Sequence, residues 1–314
     1  MRISIIGPNT PIPPVGWGAV ESLIWDYKLT LTELGHKVQI VNVGNPNDII
    51  RMINEFRPHF VHINYDDWVP LYDYIQYPCA VTTHFAYIER PEMMGPYKQR
   101  VFDHFGRIKP NVFGLSSEIN DVYHRYSGIP REKLFLNPNG VALNKFRFTM
   151  APGMVDKSIY LAKIDERKRQ YLYQDIHDLH FAGNIVDPRF KQSSRYLGEW
   201  TKDYLYANLT DYGNLVLLSD GEAHPLVCME AFAAGLGVVV SEWGKANLDT
   251  SKPFIDVIPE ERCTDIDYVK QVIEENRKRS WECRSEIREY AKQFSWENII
   301  KNFYLKNIQR LIKK

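Results

Sequence analysis

Cysteine is scarce, with four in 314 residues. Cys79, Cys228, Cys263 and Cys283 form no C-x-x-C pair and no cluster with histidine, so neither a zinc site nor a disulfide framework is indicated. Cys79 and Cys228 lie in apolar runs and read as small core side chains, a weak pointer to a reducing compartment. Excess charge of either sign is also absent. The 39 Lys and Arg balance 39 Asp and Glu, which removes any whole-chain reason to expect nucleic-acid binding while leaving local basic patches open. No apolar stretch approaches the roughly 18 residues that span a bilayer. The chain opens on a strand-like run, Ile3-Ser-Ile-Ile-Gly7, with no h-region or cleavage site, so a cytoplasmic location is expected. Internal repeats and low-complexity tracts are missing too.

What is present is ordinary globular composition, 44% hydrophobic and 25% charged, at a length suited to two domains. Short apolar runs alternate with amphipathic stretches. Residues 2–7, 37–43, 59–63, 79–83 and 111–116 read as strands, and 18–34, 46–56, 68–77, 91–106 and 117–128 as helices. The turn-rich stretch 137–146, "NPNGVALNKF", interrupts the pattern. Strands then recur near 158–163, 178–182, 214–219, 237–241 and 254–258, followed from about 266 by a charged helical tail. This rhythm predicts α/β lobes, each with a parallel sheet covered on both faces. The expected domains are 1–150 and 151–294, with a terminal helix at 295–314.

The most informative stretch is "EAHPLVCME", residues 222–230. Glu222 falls on the loop at the carboxyl end of strand 214–219, where ligands sit in sheets of this kind. Pro225 marks a helix start, and the helix Leu226-Val-Cys-Met-Glu-Ala-Phe-Ala-Ala is apolar on nearly every side except at Glu230. A buried unpaired carboxylate costs several kcal/mol or more, so a partner must meet Glu230. One reading pairs it with a lysine or arginine and leaves Glu222 solvated. The other places a phosphate on the helix N-terminus, at Pro225, Leu226 and Val227, with Glu230 accepting hydrogen bonds from ribose hydroxyls. Helix logic alone weighs the two evenly.

The E-x7-E spacing, followed by A-x-A-x-G and a β-branched strand, resembles the signature of retaining GT-B glycosyltransferases of family four. "PPVGWGAVESLIWDYKLTLTELGHKVQIV", "RPHFVHIN", "VTTHF", "GLSSE", "LNPNGVALNKF", "YLAKIDERKRQ" and "FSWENIIKNFY" resemble further family segments, in the family's order. The resemblance implies two Rossmann-like lobes with a cleft between them and a terminal helix packing back on the first lobe. It further implies transfer of a sugar from a nucleotide-diphosphate sugar to a carbohydrate or lipid-linked acceptor, without a bound metal or other cofactor. The aspartates at 66, 67 and 165 form no D-x-D pattern of the kind that seats a bridging metal.

Residue by residue, the resemblance puts Gly16, Trp17 and Gly18 in a loop that approaches donor phosphate and acceptor. It puts His84 beside the donor sugar, Lys163 and Lys168 on the diphosphate, and Glu222 near the sugar or its phosphate. Each has a plainer reading: a glycine turn, a structural histidine, and a solvated charge run capped by Asp165. Lys163 stands where the family has arginine, which loses the planar fork. His62 reads as core, and His224 replaces an aromatic. Two rivals remain: a catalytically silent nucleotide-sugar-binding relative, and a nucleotide-sugar epimerase on the same fold. The basic amphipathic stretch 298–314 suits an anionic membrane surface, although such a helix more often packs on the first lobe. Base, sugar, acceptor and oligomeric state are not legible.

Overall fold

The computed structural model describes residues 1–15 and 18–313. The chain divides into two compact units: Met1–Gly140 together with the terminal segment from Trp296, and Val141–Ser295. Each is built on one parallel sheet.

In the first unit the strands are β1 (Arg2–Ile6), β2 (Lys37–Val41), β3 (Phe60–Ile63), β4 (Cys79–Val81), β5 (Val112–Gly114) and β6 (Leu134–Leu136), in the spatial order β2-β1-β3-β4-β5-β6. Strands β3, β4 and β5 are buried throughout, as continuous apolar runs covered on both faces should be. Helices begin and end where local chemistry dictates. The Asn45 side chain accepts from the backbone N–H of Asn47 at 2.8 Å to start Pro46–Phe56. Ser116 does the same for Ser117–Ser127, which stops at Gly128 with φ 58°.

Two of the expected helices take other forms. Residues 66–74 wind as a 3-10 helix containing Pro70, which has no N–H for an interior hydrogen bond. The stretch 91–106 breaks into a turn at Pro91–Met93, a π-turn at Lys98–Phe102 and the short helix Asp103–Ile108, with Gly95 at φ 49° and Pro96 between.

The terminal segment belongs to this unit through a buried polar network. The hydroxyl of Tyr304 lies 3.2 Å from His62 Nδ1, and His62 Nε2 lies 2.8 Å from Thr82 Oγ1. Trp296 Nε1 donates to Asp26 at 3.1 Å. Ile300, Tyr304, Ile308 and Leu311 are buried, so the apolar side of the basic tail is occupied by packing. No helix among the described residues is long and apolar enough to cross a membrane.

The second unit holds β7 (Met154–Leu161), β8 (Leu179–Ala182), β9 (Tyr212–Leu217), β10 (Gly237–Ser241) and β11 (Ile255–Ile258), in the order β11-β10-β9-β7-β8. All pairings are parallel. The apolar helix Leu226–Ala233 packs within the core and ends before Gly235, whose φ of 82° suits glycine. Counted from its first strand, the second unit runs 2-1-3-4-5, the flavodoxin-like order, and the first runs the same way with a sixth strand added at the edge. The chain then leaves the first and third strands of each sheet in opposite directions and opens a crevice at their carboxyl ends.

Candidate functional site

In the second unit that crevice lies between β7 and β9. Lys163 and Lys168 follow β7, and Glu222 follows β9. The Asp165 side chain accepts from Lys168 N at 3.0 Å and fixes the 3-10 turn Glu166–Lys168. One hydroxyl laces the two loops together: Tyr160 donates to the carbonyl of Lys168 and accepts from Leu218 N at 2.9 Å. Asp220 N donates to Arg167 O at 2.8 Å, and Arg167 Nη1 donates to Gly221 O at 2.6 Å.

Within this frame the Lys168 ammonium is in short contact with Glu222, and Arg167 Nη1 reaches the same Oε1 at 3.1 Å. Lys168 and Glu222 each keep only 11% of their side-chain surface. Burial pushes the Glu222 carboxyl up, but Lys168 and Arg167 outweigh it and hold it below the usual range. Two cations share this one carboxylate, while the neighbouring Arg169 is shared between Asp220 and Glu260. Neither the solvated-run reading of Lys168 nor the solvated-loop reading of Glu222 survives. Lys163 is exposed, and the structure does not bring its side chain to this cluster.

Pro225 is the N-cap rather than the first helical residue, and no side chain caps the first turn at Leu226 and Val227. Those N–H groups are available to an anion. One turn on, Glu230 is 9% exposed, and Lys202 Nζ lies 2.6 Å from its Oε1. The paired alternative for Glu230 is therefore what the structure shows. Lys202 keeps 38% of its side-chain surface, however, so its ammonium can turn out to water while Glu230 stays buried. A ligand hydroxyl can compete for that carboxylate.

In the first unit the corresponding crevice lies between β1 and β3. Gly18 is the N-cap of the helix Ala19–Glu33, with φ 177°. Gly16 and Trp17, named with it from the sequence, lie outside the described residues. His84 stands beyond the end of β4, and its Nε2 lies 2.9 Å from Asn64 Oδ1. Burial pushes its imidazole down to about 4. His62 is core, as the sequence suggests, and burial takes it to about 3. Asp66 is pushed up to about 6 by burial, against a hydrogen bond from Tyr97 at 2.9 Å.

These shifts set a pH dependence. Below pH 6.5 the unfolded chain protonates both histidines while the folded one does not. Their stability is therefore full above that pH and falls as pH drops toward 4. Asp66 acts oppositely, because the folded state keeps a proton that the unfolded state releases. Two imidazoles oppose one carboxyl, so the first unit should lose stability from pH 6.5 to 4. His62 alone contributes about 2 kcal/mol of that loss at pH 5. Urea unfolding at a series of pH values checks this, and His62→Gln should flatten the slope. An unchanged slope in that variant would refute the assignment.

Sequence reasoning did not single out Arg167, Lys202 or Asn64 as site residues; it named Asp66 when weighing a metal pattern and placed 65–70 among the candidate acceptor loops. Arg167 was hidden in a run that looked solvated. Its only signal was position: it follows the first strand of a sheet, where the crevice opens.

No family model matches the chain, and no curated protein does. Solved structures do. Sucrose-phosphate synthase from Thermosynechococcus elongatus superposes with a TM-score of 0.75 at 15% identity, over 99% of each chain. Anabaena HepE, solved with UDP and glucose, gives 0.70 at 14% identity over 99% of this chain and 100% of its own. WaaG, a glycosyltransferase of lipopolysaccharide biosynthesis, gives 0.67 at 12% identity over 99% of each. The fold is GT-B. Identities this low establish the architecture, two Rossmann-like lobes with parallel sheets, and carry no residue roles.

Proposed function

We propose that this chain is a glycosyltransferase that moves a sugar from a nucleoside-diphosphate sugar to a hydroxyl acceptor, carbohydrate or lipid-linked. The single observation carrying the reading is the Arg167–Lys168–Glu222 cluster. It brings two cations to one carboxylate at the switch point of a parallel sheet, beside the uncapped helix start at Leu226. Solved GT-B proteins with UDP and UDP-glucose bound support the choice of ligand class.

Breaking a glycosyl–phosphate bond puts new negative charge on the departing diphosphate. Lys168, Arg167 and the N–H groups of Leu226 and Val227 would stabilise that charge electrostatically, with little reorganisation. With cations in this role no metal is required. Attack from the same face, the leaving phosphate taking the acceptor's proton, needs no protein nucleophile and gives retention. Glu230 would accept ribose hydroxyls as Lys202 swings aside, and Glu222 would turn toward the sugar as phosphate takes over its cations.

Calorimetric titration with UDP, GDP, ADP and their sugar conjugates tests this directly. At least one diphosphate should bind, Glu230→Ala should weaken it about tenfold, and transfer to an added acceptor should follow. Absence of binding by every nucleotide would sink the proposal. A second reading, a silent nucleotide-binding relative, draws on the pairing of both Glu222 and Glu230 with protein cations. It predicts nucleotide binding with neither transfer nor release of free sugar. An epimerase would instead convert the nucleotide sugar to its epimer, still carried on the diphosphate, with no acceptor needed.

A further inference from the structure

Arg169 stands directly behind Lys168, at the corner where the 3-10 turn Glu166–Lys168 ends and the short helix Gln170–Tyr173 begins. Its φ of 57° lies in the left-handed region, which helix ends ordinarily give to glycine and which disfavours an L side chain. Glycine would turn this corner without strain. The backbone therefore gains nothing from an arginine here, and the reason for one lies in its side chain.

That guanidinium is mostly buried and joins two loops from elsewhere in the same sheet. Nη2 donates to Asp220 Oδ1 at 2.6 Å and is in short contact with Glu260 Oε1. Asp220 lies just past β9 and Glu260 just past β11, 51 and 91 residues along the chain. Little exposed, these pairs are screened less than surface ones. Tyr160 and the Asp220 N–H hold the carbonyls of the turn on its β9 side. The Arg169 bridge adds a hold from β11.

This hold matters most when an anion arrives. Without one, Glu222 keeps Lys168 and Arg167 in place. An anion that takes those cations competes with that contact, and a 3-10 turn of three residues has little stability of its own. The bridge uses neither cation and not Glu222, so it persists as the anion binds. We propose that Arg169 is a positioning residue: through Asp220 and Glu260 it keeps Arg167 and Lys168 aimed at the diphosphate once Glu222 has released them. The inference deepens the glycosyltransferase reading and rests on it for the identity of the anion.

Glu260→Gln in the full chain is the sharpest test. It leaves Arg167, Lys168 and Arg169 in place and removes a negative charge, so Coulomb's law alone tightens the binding of any anion. Loss of the bridge predicts the opposite sign. Calorimetry uses whichever of UDP, GDP and ADP binds wild type best, beside its own nucleoside. Diphosphate affinity should fall about threefold or more in Glu260→Gln and about tenfold in Arg169→Gly, with the nucleoside unaffected. Arg169→Lys, which lacks the planar fork, should recover part of the loss. In a Lys168→Ala background Arg169→Gly should add less than it does alone, as expected of a residue that acts through another. Glu260→Gln, nearly isosteric, also covers the case in which Arg169→Gly does not fold. The proposal is overturned by a Glu260→Gln protein that binds the diphosphate as tightly as wild type or tighter. It is equally overturned by a folded Arg169→Gly protein that keeps wild-type affinity, or by equal losses for diphosphate and nucleoside. Wild type that binds none of the three diphosphates would sink the glycosyltransferase reading and this inference with it, so the two failures are distinguishable.

Discussion

Replacing Arg284 with alanine is expected to lower the melting temperature of the second unit by about 10 °C or more, or to prevent its accumulation as folded protein. This guanidinium has 0% exposure, and no acid pairs with it directly. Burial brings its pKa down to about 10, with Asp211 pulling it back up, so it stays charged at neutral pH. Its partners are backbone carbonyls. Nε donates to Thr149 O at 2.9 Å, Nη1 to Tyr212 O at 3.1 Å and Nη2 to Thr210 O at 2.5 Å, with Thr210 Oγ1 at 3.0 Å. A buried ion pair can often be exchanged for apolar side chains, because both partners can be changed together. Carbonyls cannot be mutated away. Deleting Arg284 strands these three and Ala234 O, which Nη2 also reaches at 3.4 Å, and leaves a cavity, a loss of about 3–5 kcal/mol or more. Against a total of about 5–15 kcal/mol for a domain, that is a large share. At roughly 2–4 °C per kcal/mol for a unit of this size, the shift follows.

Arg284→Lys, which keeps charge but not the planar fork, should fall between wild type and alanine. Thermal melts of the three proteins decide it, and an alanine variant melting within 3 °C of wild type would remove Arg284 from its structural role. The consequence reaches the site as well. Thr210 and Tyr212 stand where β9 begins, and the same strand leads at its far end to Glu222.

Arg284 also shows what the sequence hides. In a tail rich in charge it reads as one more solvated residue, because nothing local announces that carbonyls from residues 149, 210 and 212 will surround it. Strands were legible for the opposite reason. A strand covered on both faces must be apolar along its length, and runs such as Val238–Val240 carry that signal within themselves. β6, Leu134–Leu136, was hidden between the charged Arg131-Glu-Lys133 and the turn residues from Asn137, and only its middle residue is buried. Helices failed where glycine and proline cut the period, as at Gly95-Pro96.

The candidate site divides along the same line. Glu222 and the helix from Leu226 could be placed because strand, loop and helix follow one another in the chain. Their cationic partners could not be derived that way. Arg167 and Lys168 meet Glu222 across more than fifty residues, a pairing that exists only once β7 and β9 lie side by side, and Lys202 meets Glu230 across 28, between the helices that flank β9. Helix logic alone left Glu230 evenly balanced between a protein cation and a ligand, and the family resemblance tipped it toward the ligand. Folding supplies the cation.

That makes Lys168 the sharpest test of whether this crevice serves chemistry. Lys168→Ala should reduce nucleoside-diphosphate-sugar turnover by about 10²–10³-fold, the range found when one preorganised donor to a developing anion is removed. The fold should tolerate the change, since Glu222 keeps Arg167 at 3.1 Å and the turn keeps its Asp165 cap. A purely structural lysine would lower the melting temperature and weaken all ligands alike. An anion-binding lysine weakens UDP and UDP-sugar while leaving uridine, which has no phosphate, unaffected. Arg167→Ala should act in the same direction but less, because Arg167 is also committed to the Gly221 carbonyl.

Glu222→Gln separates the two halves of the idea. It removes the charge that competes with phosphate for the cations, so UDP should bind at least as tightly as to wild type. Turnover should still fall if the carboxylate is needed at the sugar. Burial lowers the Lys168 pKa, with Arg167 adding to the effect and Glu222 opposing it, so raising the pH should discharge it before an exposed lysine. Diphosphate affinity should then decline earlier on the alkaline side in wild type than in Lys168→Arg, whose guanidinium stays charged. If Lys168→Ala binds UDP and turns over within threefold of wild type, the β7–β9 crevice is not where the diphosphate sits.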